Sequence, residues 1–211
     1  MADKQTGKTG FFSKLMNVIT GSPSSATSET DEKGQFAPVE KESKDVRFVK
    51  TLTKNGGNFV YCGSKEELVE NLIKVIEEYQ LVGVGSPDDN LLSFLKKESI
   101  PKVYESLKDC DTICSYCEAL IASNGGIMIN ERQTMGIRID NMPDYHIVIG
   151  KTSQLVENLH DAMAKVNRQY RNNRPGQISV LKGPNDENVK LASADPNKDR
   201  TLFLLLVEDT F

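Results

Sequence analysis

From Asn58 onward the sequence alternates short β-branched or aromatic runs with amphipathic helical stretches. That alternation narrows the fold more than any single motif does. Residues 59–62 (FVYC) read as a strand. Ser64 followed by Glu67 is a capping box, and it opens a helix with Leu68, Leu72, Ile73, Ile76 and Tyr79 on one face. Residues 81–84 form a second strand. Ser86 then reads as an N-cap with Pro87 at the first helical position, ahead of a helix using Leu91, Leu92, Phe94 and Leu95. Residues 101–107 suggest another short helix. Residues 119–123 and 127–130 flank Asn124-Gly125-Gly126, a strong hairpin signal. After a strand at 145–149, Thr152 or Ser153 caps the longest expected helix, with Leu155, Leu159, Ala162 and Val166 inward. A polar segment, 171–200, precedes a last strand at 202–207. The predicted fold is α/β: an open, mostly parallel sheet with helices on both faces and a β-hairpin insertion.

Residues 1–45 read differently, as an N-terminal tail. Residues 20–45 are rich in Ser, Thr, Glu and Lys without an apolar period, a composition that favours disorder. Phe11, Phe12, Leu15, Met16 and Ile19 form a short amphipathic piece within that tail. A single α/β domain is expected over 46–211. The TGKTG stretch at 6–10 lacks the first glycine and the preceding strand of a phosphate-binding loop. The net charge of −4 excludes a nucleic-acid partner, because phosphate recognition wants a basic face. No apolar run approaches the roughly 20 residues of a membrane span. With no secretory signal at its start, the chain is expected to be cytoplasmic, with thiols rather than disulfides.

Three of the four cysteines lie in CDTICSYC, as C-x3-C-x2-C over Cys110, Cys114 and Cys117. The spacing matches the cluster signature of radical-SAM enzymes. Its setting does not, since Thr112-Ile113-Cys114 has strand composition and an extended chain points Cys114 and Cys117 to opposite faces. Core packing is the favoured reading, with no metal and no cofactor expected; an iron–sulfur role for the three thiols is the remote alternative.

The second half carries a resemblance. CEALIASNGGIMIN, then MPDYHIVI, a long helix, KGPN and LFLLLVED occur in that order. The series, spanning about residues 58–211, is similar to the LUD (lactate utilisation) domain family. Glu118, Gly125, Pro143, His146, Gly183 and Pro184 fall where that family places Asp, Gly, Pro, His, Gly and Pro. The chain departs where the family has Glu-Thr-Gly-Thr, carrying Ser123-Asn124-Gly125-Gly126 instead. It departs again at Asn185 to Val189, which replace a Ser-Arg-Thr-Ala-Asp run and with it anion-holding groups. The resemblance implies a fold like the NagB/RpiA/CoA-transferase group. It also implies a LutC-like accessory or regulatory role in oxidising L-lactate to pyruvate, beside iron–sulfur oxidoreductase subunits. A stand-alone enzyme acting on a small carboxylate or acyl-CoA is the alternative.

Glu118 and His146 are the candidate catalytic groups. His146 suits acid–base work by its ordinary pKa, although a hydrogen-bonded structural histidine at a strand start is the commoner case. Glu118 could face a cleft or cap a strand end. Asn124, Gly125 and Gly126, with Lys182, Gly183, Pro184 and Asn185, are the candidate ligand-binding residues for a small anion, through backbone N–H groups or a long loop. His160 and the charged group Glu131, Arg132, Arg138 and Asp140 read as solvated surface.

Overall fold

A computed structural model describes residues 42–184 and 200–209. The amphipathic piece at 11–19 and most of the tail lie outside the described residues. Helix α1 (Lys44–Lys54) opens the described part, burying Val46, Phe48, Val49 and Leu52. It was not anticipated, because its Lys- and Thr-rich surface blends into the tail. Strand β1 (Asn58–Cys62) follows, then α2 (Lys65–Glu78), whose N-cap Ser64 accepts from the Glu67 N–H.

The second strand, β2, is only Val84–Gly85. Helix α3 (Asp89–Lys97) begins later than Ser86 suggested. Asp88 is the cap, because its carboxylate accepts from the N–H groups of both Asn90 and Leu91, whereas Ser86 Oγ accepts only from Asp88 N–H. Residues 101–107 form no α-helix; a single turn at Leu107–Asp109 precedes β3 (Thr112–Tyr116).

The hairpin is present as β4 (Ala119–Ile121) and β5 (Gly126–Asn130), paired antiparallel, and a one-turn helix α4 (Glu131–Thr134) follows. Then come β6 (Tyr145–Lys151), β7 (Leu155–Val156), α5 (Leu159–Gln169), β8 (Ile178–Leu181) and β9 (Thr201–Val207). Two expectations fail here. Thr152 and Ser153 do not cap α5, because their hydroxyls donate to Asp209; Asn158 caps it instead, accepting from Asp161 N–H. Leu155 consequently lies in a strand, and α5 is shorter than α2.

The strands form two sheets. The larger runs β1-β9-β6-β3-β2 with every pairing parallel, the open α/β sheet expected from the alternation. The smaller runs β7-β4-β5-β8, so the hairpin is the centre of a second sheet rather than a simple insertion. One face of the large sheet carries α2 and α3 over Cys114, Ile147, Phe203 and Leu205. The other carries α1 and the small sheet, through Phe48, Leu52, Leu120, Ile127 and Leu204. Helix α5 covers the far side of the small sheet with Ala162 and Val166. Both faces of the large sheet are thus dry, which explains the nearly unbroken apolar run in β9.

Candidate functional site

Glu118 leaves the carboxyl end of β3 and enters the hairpin, where its backbone N–H donates to the Met128 carbonyl at 2.8 Å. Its side chain is only 5% exposed. Burial of a carboxylate requires donors, and three converge on Oε1: Asn130 Nδ2 at 2.8 Å, the Tyr170 hydroxyl at 2.7 Å and Gln133 Nε2. Two of these donors are themselves fixed. Asn130 caps α4 through Oδ1 on Arg132 N–H at 2.8 Å, and Gln133 Oε1 accepts from Asn130 N–H at 2.7 Å. The third, Tyr170, ends α5, and the Arg132 guanidinium lies 4.6 Å from its ring centroid. Burial, then the adjacent Glu118 carboxylate, raises the Tyr170 pKa, so its hydroxyl stays a donor at neutral pH. Glu118 therefore ties the hairpin, α4 and α5 together.

His146 sits near the start of β6, fully buried, in register with Ile113 of β3 and Leu202 of β9. Its Nε2 lies 2.7 Å from Ser115 Oγ, and Nδ1 has no hydrogen-bond partner among the described residues. Desolvation, with the positive charge of Arg200 added, lowers its pKa to about 3. Arg200 is itself buried and donates to the carbonyls of Pro143, Ile139 and Met142, holding the segment that leads into β6. A serine beside a histidine resembles part of a nucleophilic set, yet here it lies inside the core with the imidazole held neutral.

The two glycine-bearing turns come together elsewhere. Asn55 Nδ2, just past α1, donates to the Asn124 carbonyl at 2.9 Å. Gly125 has φ +63°, and a Cβ there would stand 2.5 Å from Leu52 N. Gly126 N–H is taken by Asn124 Oδ1 at 2.9 Å. A Cβ on Gly183 would stand 2.1 Å from the Asn55 carbonyl oxygen. Both turns thus close onto the end of α1, and their glycines permit that backbone-to-backbone approach. Lys182 and Pro184 are half-buried beside them, while Asn185 lies outside the described residues. Glu118, at the opposite end of β4 from the turn, is not part of this group, nor is His146 in the central strand.

The charged residues after the hairpin serve the Glu118 region. Glu131 accepts from Gly176 N–H at 2.8 Å, and Arg132 donates to the Asn173 carbonyl at 2.8 Å. Arg138 and His160 are exposed. Of the three spaced thiols, Cys114 packs under α2 and α3 and Cys117 in the core on the other face of the sheet. Burial pushes both thiols up to about 12. Cys110, half-buried, bonds the Ser106 carbonyl through Sγ. Strand geometry thus puts Cys114 and Cys117 on opposite faces of the sheet, as the extended spacing suggested.

Residues 87–204 match the LUD domain. The chain belongs to the LUD domain family. The LUD match takes in Glu118 and its three donors, Ser115, His146 and both glycine-bearing turns, and leaves α1, β1 and α2 outside it. The fold is also similar to the crystal structure of a DUF162 family protein from Deinococcus radiodurans, with a TM-score of 0.58 at 19% identity. That likeness covers 79% of this chain and 99% of the other, and it speaks for the fold alone. A comparison with curated proteins gave no match.

Glu118 and His146 stand out in the sequence, but the groups that define them do not. Gln133 and Asn130 carried a local signal, an Asn at the end of an apolar run with Gln three residues on. Tyr170 carried none, because its partner lies 52 residues away along the chain.

Proposed function

We propose that this LUD-domain chain is an accessory or regulatory component of a lactate-oxidising or related iron–sulfur redox system, and that it carries out no turnover by itself. The observation that carries this reading is the state of the two candidate acid–base groups. Glu118 Oε1 accepts three hydrogen bonds, and His146 is sealed within the sheet at a pKa of about 3. A general base works best with a pKa near the operating pH and within reach of substrate. His146 meets neither condition, and Oε1 of Glu118 is already occupied by its three donors. The link to lactate rests on the family, whose resemblance implies iron–sulfur subunits as partners; a cytoplasmic setting is part of the proposal, and no helix among the described residues is long and apolar enough to cross a membrane.

The test is reconstitution. Lactate-dependent dye reduction is measured with purified iron–sulfur lactate-oxidising subunits, with and without this chain. The proposal expects no lactate oxidation by the isolated chain and a higher rate when it joins the subunits. Turnover of lactate, another small carboxylate or an acyl thioester by the isolated chain would reverse it.

A further inference from the structure

The carboxyl ends of β3, β6 and β9 meet α2 and α3 around a cavity of about 270 Å³. Its walls are hydrocarbon and aromatic: Leu68 from α2, Phe94 from α3, Ile149 from β6 and Val207 from β9. Its polar groups are of one kind. Lys65, Lys151 and Tyr116 line it, and among the described residues no carboxylate does. In open α/β sheets, the crevice beyond the carboxyl ends of the strands is where ligands bind. The volume is near the lower end for small-molecule sites, roughly 300 Å³.

The lysines are held in place by groups outside the cavity. Lys65, the first residue of α2, forms an ion pair with Glu98 at the end of α3, and its Nζ lies 5.6 Å from the Phe94 ring centroid. Lys151 ends β6 close to Asp209, whose pKa is lowered by the Ser153 hydroxyl and further by this lysine. Each ammonium has three donors, so a carboxylate neighbour outside does not exhaust it. Tyr116 is 37% exposed, and burial of the rest of its ring, then Cys114 and Asp88, raises its pKa, so it too remains a donor.

We infer that this cavity binds a small monoanion with an apolar body, of the size of benzoate or a branched 2-oxo acid. The carboxylate meets Lys65, Lys151 and the Tyr116 hydroxyl, and the hydrocarbon packs on Phe94 and Ile149. This site is separate from the glycine-bearing turns, and it stands whether or not the chain serves an iron–sulfur system.

The experiment titrates the full chain, methyl-labelled at Ile, Leu and Val, with benzoate and with benzyl alcohol, and follows the Leu68, Ile149 and Val207 methyl signals. Benzoate is expected to shift all three, with benzyl alcohol at least about tenfold weaker, the ratio one charge-assisted hydrogen bond provides. Lys151→Met, which leaves the Lys65–Glu98 pair intact, weakens benzoate by about the same factor, and Lys65→Met with Lys151→Met weakens it further. Glu98→Gln tightens it, because Lys65 then has one acid fewer to serve. Unmoved methyl signals, equal affinity for the two probes, or unchanged benzoate affinity in Lys151→Met would each overturn the inference. Retained methyl dispersion in each variant shows that it has folded.

Discussion

Beneath α2 and α3 the large sheet buries hydrocarbon and thiols almost alone, whereas the half built around the small sheet buries Ser115, Glu118, Asn130, Thr134, His146 and Arg200. The two halves hold together by different means. The helix-covered half relies on non-directional burial, which tolerates a cavity at its rim. The small-sheet half needs directional bonds, because joining a hairpin, a one-turn helix and the end of α5 leaves polar backbone and side chains inside. Its polar residues act as fasteners, and a residue engaged in that way is a poor catalyst. Polar groups of the helix-covered half stand instead at the rim of a cavity.

The contrast can be broken most severely at Glu118. Glu118→Ala leaves the Asn130, Gln133 and Tyr170 donors without their acceptor and is expected to cost about 3–5 kcal/mol. Denaturant unfolding would measure it, and a loss within error would show that the cluster holds nothing. Gly125→Ala probes the other fastening point, where a Cβ would strike the α1 backbone at φ +63°. A cost of roughly 2–4 kcal/mol is expected there. A neutral result would return that turn to the role of an open loop.

His146 sharpens the comparison through pH. Its folded pKa of about 3 lies below the ordinary 6.5, so below pH 6.5 the unfolded chain takes up a proton that the folded chain excludes. Stability from this residue is complete above 6.5 and falls as pH drops toward 3, by about 1 kcal/mol per unit. Thermal or urea unfolding across that range should show the slope, and His146→Asn should lack it. The smallest expected effect is Tyr170→Phe, which removes a half-buried hydroxyl, one of the three donors to Glu118, and should cost about 1 kcal/mol by the same unfolding measurement.

Much of this frame was legible in the sequence because its signals are local. Ser64 with Glu67 announced α2, Asn124-Gly125 announced the hairpin, and the apolar run of β9 needed only itself. Strands β7 and β8 were not legible. Leu155–Val156 is two residues long, and Ile178–Leu181 is half-buried and flanked by polar chain, so each exists only because β4 or β5 offers an edge. Helix α1 did carry a signal, with Val46, Val49 and Leu52 at helical spacing, but it sits against a tail of similar composition. At the candidate site the same division holds. Glu118 was visible as an acid entering a buried strand, whereas what it does depends on Tyr170, which only the tertiary fold brings near. Lys65, Tyr116 and Lys151 come from three separate strand ends or helix starts, and no spacing links them.

The claim that Glu118 and His146 serve the fold rather than a reaction is tested most directly at His146. The imidazole resonances of the labelled, full-length chain can be followed from about pH 8 down to about pH 4, across the ordinary histidine range. The signal assigned to His146 is expected to keep the chemical shift of the neutral ring throughout, until the protein unfolds. A reversible titration of that signal with a midpoint near 6.5 would place a working acid–base group in β6 and contradict it.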